Sequence, residues 1–265
     1  MTAIIMGENE YRSLDRLNFS TFKYILHSTK KYLLQKENPW AGNDATRLGS
    51  AAHAWLQNDK DKVHFEPDLS GIKTKAGSDA KNPRNTTEGK GILAEFKKSL
   101  PAGAIIVPPD ALEVLTGIEK SWQENDDVQR LREKITHIER THIFTYDDLK
   151  FKARLDEEGD DFVTDLKSTS TDASRENVYS IIKSKHYDMQ AATYLVGKSE
   201  ETGIPILEIP YYMVFLETFA PYDTYVYQLS KAVITEGLRK LNTAIDLYRS
   251  QILAGEKIYN RLAVV

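Results

Sequence analysis

The sequence contains no cysteine, which removes disulfides, thiolate zinc sites and cysteine-held iron–sulfur clusters and fits a reducing compartment. It has no run of about 20 apolar residues, the length a membrane-spanning helix needs. The opening MTAIIMGENEYRSLDR also lacks the long apolar stretch of a secretory leader. Nor is there an excess of positive charge. Thirty-five Lys and Arg face 39 Asp and Glu, giving a net charge of -4 and a pI of about 5.9, which argues against non-specific coating of nucleic acid. Repeats and low-complexity tracts are missing too. What remains is ordinary for a globular protein: 265 residues, 41% hydrophobic and 28% charged, enough to bury a real core. The expectation is a cytoplasmic protein without membrane attachment.

A pass along the chain predicts helices first. Ser20 starts a helical pattern, Ser28 looks like a second cap, and TRLGSAAHAWLQN over 46–58 puts Gly49, His53 and Leu56 on one helix face. Residues 71–91, GIKTKAGSDAKNPRNTTEGKG, read as a mobile basic loop. It is either an inert insertion or an arm that tracks phosphates through Lys73, Lys75 and Arg84. Helical spacing resumes over 92–100 and 110–134, with Asn125-Asp126 as an internal cap. Then come three antiparallel strands with turns near Asp147-Asp148 and at Gly159-Asp160, helices from Ser174 and from about Asp188, and two strands in PILEIPYYMVFLET and TYVYQLS. A helix capped by Ser230 runs to about Ala254. The whole is an α/β fold, a mixed central sheet flanked by helices. One domain over 1–265 is expected, mainly helical over 1–134, sheet and helices over 135–230, and a helical C-terminal part over 231–265.

The informative stretch is KARLDEEGDDFVTDLKSTST, residues 152–171. A two-residue Gly159-Asp160 loop would pair Glu158 with Asp161 and Asp156 with Val163. Lys152, Arg154, Asp156, Val163, Asp165 and Lys167 would then share one face. Asp156 would lie diagonally across from Asp165, about 7–8 Å between backbones, close enough for both carboxylates to reach one ion. The face has a plainer explanation as a solvated ladder in which Arg154 opposes Asp165. Acid-x-Lys is a common tripeptide, recurring at Asp79, Glu88, Glu95 and Asp148. Only at Asp165-Leu166-Lys167 does a hairpin bring a second aspartate onto the same face.

In order along the chain, RLGSAAH, KARLD, DLKSTSTDAS and YDMQAATY resemble the RecE-type phage exonucleases (exonuclease VIII and, more distantly, lambda exonuclease) of the PD-(D/E)xK nuclease superfamily. The likeness extends from about LNFSTF at residue 18 to the helix near 202; HSTKKY lacks the proline that often closes the family's first helix. It implies a restriction-endonuclease-like core preceded by an N-terminal helical region. It also implies Asp156 and Asp165 as metal-binding carboxylates, joined by the Leu166 carbonyl and His53, with Lys167 as the catalytic lysine. Gln190 and Tyr194 match a Gln-x-x-x-Tyr helix beside the site, and Ser20 and Arg47 lie where relatives meet the DNA end. Arg154 would be either a phosphate contact or only the cross-strand partner of Asp165.

The chemistry suits that set. Magnesium prefers oxygen ligands and keeps several waters, and a lysine beside it can orient or deprotonate a water for in-line attack. The resemblance implies an Mg2+-dependent 5′ to 3′ exodeoxyribonuclease on linear double-stranded DNA, with Mn2+ able to substitute. Its product strands would serve annealing-type recombination with a single-strand annealing protein. A trimeric or tetrameric homo-oligomeric ring and a phage or prophage origin in a bacterial host follow from the same likeness. An endonuclease or repair nuclease on the same core, and a catalytically silent DNA-binding or interaction protein, are the alternatives.

Overall fold

The computed structural model describes residues 2–39, 42–57, 59–74 and 76–255. Among these residues the strands are β1 (Thr2–Ile4), β2 (Val63–Phe65), β3 (Ile105–Val107), β4 (His137–Tyr146), β5 (Leu149–Glu158), β6 (Val163–Thr169), β7 (Tyr211–Glu217) and β8 (Thr224–Gln228). The helices are α1 (Glu8–Ser13), α2 (Phe19–Phe22), α3 (Thr29–Glu37), α4 (Asp44–Leu56), α5 (Thr87–Ser99), α6 (Ala111–Glu124), α7 (Asp126–Arg132), α8 (Val178–Lys185), α9 (Tyr187–Thr202) and α10 (Lys231–Tyr248). No helix among the described residues is long and apolar enough to cross a membrane.

Six strands form a mixed sheet in the order β1-β4-β5-β6-β7-β8, antiparallel throughout except for the parallel β6–β7 pair. The parallel pair follows from the connection: β6 returns to β7 through α8 and α9, and such a crossover must run helix-over-sheet. The β4–β5 connection is a tight hairpin. Asp147 and Asp148 both take positive φ (49° and 57°), the geometry a two-residue loop requires of a right-twisted ribbon. The sheet has a core on each side. Phe151, Ala153 and Leu155 of β5, Val163 of β6 and Met213 and Phe215 of β7 pack with Met189, Ala191 and Leu195 of α9 and Leu241 and Ala244 of α10. Leu166, Val214 and Leu216 face the other way, onto Ala51 and Ala52 of α4 and Leu115 and Ile118 of α6.

Several sequence expectations need correction. Asn18 is the cap of α2, accepting from the Thr21 amide at 3.0 Å, and Ser20 donates to it rather than capping. β1 and the parallel β2–β3 pair were not foreseen. The 71–91 segment is built rather than a free arm. Lys73 pairs with Asp79 across a β-bridge, Arg84 binds Glu66 at 2.7 Å, and a 3-10 turn at Pro83–Asn85 leads into α5. Lys75 lies outside the described residues. Asn125 does separate α6 from α7, accepting from the Asp127 and Val128 amides at 3.1 Å.

Candidate active site

The β5–β6 hairpin differs from the two-residue loop expected, and the difference creates the site. Glu158 pairs with Val163 and Glu157 with Thr164, so residues 159–162 form the loop. Phe162 is the reason: its ring packs over Gly159, where a Cβ would lie 2.0 Å from it, and the Gly159 amide donates to the Phe162 carbonyl at 3.1 Å. In this register Asp156 and Asp165 are opposite one another, not diagonal. They are not ladder partners, because the pairing ends at Glu157–Thr164. The Leu166 amide instead donates to Asp156 Oδ2 at 2.8 Å. A carboxylate has taken the place of a backbone acceptor, and the strands splay around it.

Alternation along β5 also slips here. Leu155 packs in the α9-side core and Glu158 binds Lys198 of α9, so residues three apart face the same way. Opposite Asp156, Glu139 of β4 is held at φ 50°, in the left-handed region. The slip puts Asp165 on the α9 side of the sheet, away from the two basic residues expected on its face. Lys152 donates to the Tyr11 and Leu14 carbonyls at 2.7 and 2.8 Å. Arg154 donates to Glu8 at 2.6 Å and to the Met6 carbonyl at 3.1 Å, with its guanidinium 4.4 Å from the Tyr11 ring centre. Arg154 is therefore not the partner of Asp165. It anchors the N-terminal segment.

Asp165 is fully buried and, like Lys167, points toward α9, as the β6–β7 register requires by setting them beside Met213 and Phe215. Its Oδ2 is ion-paired with Lys167 and its Oδ1 accepts from Gln190 Nε2 at 3.2 Å. Gln190 Nε2 also reaches the Tyr194 hydroxyl one turn on, at 3.0 Å. The α4 helix closes the site from the opposite face. Its approach to β6 is close because position 49 is glycine: a Cβ there would meet Ser168 Oγ at 2.6 Å. One turn later His53 Nε2 lies 3.1 Å from the Leu166 carbonyl, with Nδ1 3.9 Å from Asp156 Oδ2. One further turn on, Gln57 donates to the Asp156 carbonyl at 3.1 Å.

The electrostatics are those of buried carboxylates sharing one cation. Burial pushes the Asp165 carboxyl up to about 6, Lys167 opposes this, and Asp156 adds to it. Asp156 is raised mainly by burial, against the pull of Lys167. Burial, and then Lys167, lowers the His53 imidazole to about 4, leaving it neutral at pH 7. Burial works against the Lys167 ammonium, but Asp165 and Asp156 outweigh it and hold that pKa above its ordinary value.

The donor set of two carboxylates, one peptide carbonyl and one neutral imidazole fits a divalent cation with a preference for oxygen. A second cluster is tighter. Among the described residues, His142, Glu158 and Glu201 are the one group of three such side chains whose ligand atoms all lie within 4.8 Å. There, however, Lys198 binds Glu158 at 2.8 Å, and Arg140 binds Glu201 at 2.5 Å and Glu158 at 3.3 Å. Two fixed cations already neutralise its two carboxylates, so it is a buried ion network tying β4 and β5 to α9.

Of the remaining expected residues, Arg47 is paired with Asp44 on the exposed start of α4, and Ser20 is exposed on α2. Lys73 and Arg84 are engaged with carboxylates as described. Sequence reading missed Gln57, although its i+4 spacing from His53 was available. It also missed Tyr187, whose ring lies 5.1 Å from Lys167 Nζ, and Tyr211, a buried hydroxyl beside Asp165 that only the β6–β7 register reveals.

The fold has counterparts among known proteins. Residues 18–257 match the family described as PDDEXK-like domain of unknown function (DUF3799). The chain belongs to that family. None of the curated proteins compared with it matches. Among solved structures, the crystal structure of a putative exonuclease from Eubacterium rectale superposes with a TM-score of 0.60 over 98% of this chain and 97% of that one, at 13% identity. The PDDEXK-like domain thus takes in every strand of the sheet except β1, with α4 and α9, and begins just after the N-terminal segment held by Arg154.

Proposed function

We propose that this PDDEXK-like protein is a divalent-metal-dependent deoxyribonuclease that hydrolyses phosphodiester bonds from the 5′ end of linear double-stranded DNA. The observation that carries the reading is the convergence of His53, Asp156, Asp165, Lys167, Gln190 and Tyr194 at the one place where β5 and β6 part. Asp156, Asp165 and the Leu166 carbonyl, with His53, would hold Mg2+, and Mn2+ in its place. Bound there, the cation supplies Lewis-acid stabilisation of the phosphoryl oxygens and a more acidic water.

The chain's own residues do the rest. Asp165 and Asp156 keep Lys167 protonated, so its ammonium orients the attacking water and steadies negative charge developing on phosphorus oxygens, and does not act as the base. Gln190 fixes the Asp165 carboxylate and Tyr194 fixes Gln190. His53, held neutral by burial, has a ring nitrogen to offer without first losing a proton. The likeness of the motifs to RecE-type exonucleases supports 5′ to 3′ polarity, single-strand products for an annealing protein, a trimeric or tetrameric ring and a bacterial cytoplasmic setting.

The test is a cleavage assay on end-labelled linear duplex and on covalently closed circles, with Mg2+ or EDTA, challenged after loading with excess unlabelled DNA. The reading expects Mg2+-dependent, trap-resistant release from 5′ ends and intact circles. Rapid cutting of circles would replace it with the endonuclease reading, and inactivity on all substrates with that of a silent binding protein.

A further inference from the structure

The 3-10 turn Lys23–Leu26 and the α8–α9 junction meet at two histidines. His27 closes the turn, and His186 sits between the helices with φ 57°. Their Nε2 atoms are 3.3 Å apart and their rings cross at 75°. Two imidazole nitrogens at that distance share one proton, one ring donating and the other accepting. His186 Nδ1 is buried without a partner.

The charge around this pair is mainly positive. Lys23 stands on the turn, over the Phe19 and Tyr24 rings at 5.1 and 5.6 Å rather than against a carboxylate. Lys185 ends α8, and Lys167 lies behind, against the Tyr187 ring that directly follows His186. Burial lowers the Lys23 ammonium first, and Lys185 and Lys167 lower it further, so the three are close enough to repel. His186 is lowered by burial, then by Lys240 and His27, with Lys23 adding to the effect and Asp188 alone opposing it. Asp188 is committed elsewhere: Oδ2 takes Lys240 at 2.6 Å and Oδ1 the Met189 amide at 2.8 Å. Asp165 is taken by Lys167. The positive end of the 16-residue α9 opens here as well, and its cap residue, His186, makes no side-chain capping bond. Cations, a shared-proton imidazole pair and a helix N-terminus, with the nearby carboxylates spoken for, make a site that an anion would complete.

We propose that Lys23, His27, Lys185 and His186 form a phosphate-binding subsite for the nucleic-acid backbone beside the Asp156–Asp165 centre, and that phosphate binding draws a second proton onto the histidine pair. The substrate class rests on the nuclease reading above. The phosphate is either a terminal monoester or an internal diester, and both would be gripped by the same groups. A doubly protonated pair would repel itself without an anion between its rings; with one, each ring can donate.

The experiment measures binding in EDTA, where cleavage plays no part. Fluorescent duplexes carrying a 5′-phosphate or a 5′-hydroxyl, and a dumbbell duplex without ends, are titrated against wild type, His27→Gln/His186→Gln and Lys23→Ala/Lys185→Ala. Each double variant is expected to bind about tenfold more weakly, and the lysine variant to show a shallower salt dependence. A loss confined to the 5′-phosphate duplex assigns the monoester, and an equal loss on the dumbbell assigns the diester. Calorimetry at pH 7 in buffers of different ionisation enthalpy should show proton uptake by wild type and none by the histidine variant. Unchanged affinity in both variants, or unchanged proton uptake without the histidines, overturns the subsite. Wild-type cleavage with Mg2+ is scored separately: if wild type cleaves and the variants bind normally, only the subsite fails. If wild type never cleaves but binds through these residues, the subsite stands and the nuclease reading fails.

Discussion

Asp156 Oδ2 accepts the Leu166 amide at 2.8 Å, so an aspartate on β5 fills the place of a β5 backbone carbonyl in its ladder with β6. The bond ends the ladder without orphaning a buried N–H, and it sets the Asp156 carboxylate beside Leu166, His53 and the Asp165–Lys167 pair. A substitution at Asp156 thus removes a proposed metal ligand and a piece of sheet at once. A substitution at Asp165 leaves the sheet intact and is the cleaner probe of the chemistry.

Metal affinity should be lost on acidification through about pH 6, where Asp165 takes up its proton. The sign follows from the raised carboxyl: above that pH the site offers an anion, and below it a neutral acid. His53 titrates near 4 and contributes nothing in this range. Mg2+ titrations between pH 5 and 8 check this, and a midpoint that moves when His53 is replaced by Asn would assign the transition to the histidine instead.

Lys167→Ala should lower kcat by about a hundredfold or more and leave the Kd for DNA within a fewfold, because an ammonium aimed at developing charge acts mainly in the transition state. Single-turnover rates at saturating DNA, with binding measured in Ca2+, separate the two effects. Weaker binding with unchanged turnover would make Lys167 a phosphate anchor.

Gln190→Leu should reduce activity through Asp165, since the amide is what fixes Oδ1. The expected signature is a higher Mg2+ requirement with partial recovery of rate at high Mg2+. A loss of rate that no metal concentration restores would place Gln190 on the substrate rather than on the carboxylate.

The network on the other half of β5 concerns stability. Burial alone would raise the Glu158 carboxyl, but His142 and Lys198 outweigh it and hold it at about 2. A carboxyl lowered from 4.5 contributes stability above that pH and loses it as the pH falls toward 2. Glu158→Gln should therefore cost about 3–5 kcal/mol at pH 7 by leaving Lys198 buried without its partner. The deficit should narrow below about pH 4.5, which denaturant melts at pH 7 and pH 4 will show.

The parts of the fold legible in the sequence are those set by local pattern. The β4–β5 turn is written in Asp147-Asp148, the α6–α7 break in Asn125, and the α10 start in Ser230. The pairing of the two aspartates was also legible in outcome, but strict alternation gave the wrong route to it. It placed Arg154 beside Asp165, whereas the slip across Asp156–Glu157 puts Asp165 on the α9 side and leaves Arg154 on the opposite side, bound to Glu8. Nothing local marks that slip, because its cause is a side chain bonding to the next strand. β1, β2 and β3, three residues each, depend on partners 42 to 141 positions away and carry no periodicity of their own. Tyr211 and the His27–His186 contact were hidden for the same reason, being made by packing between distant segments.

The central claim is that Asp156 and Asp165, and not the tighter His142–Glu158–Glu201 cluster, hold the metal. Isothermal titration of Mn2+ at pH 7.5 into wild type, Asp165→Asn and Glu201→Gln tests it most directly. The account predicts one binding transition in wild type, its loss in Asp165→Asn, and its retention in Glu201→Gln. Undiminished Mn2+ affinity in Asp165→Asn, or its loss in a folded Glu201→Gln protein, would contradict the account.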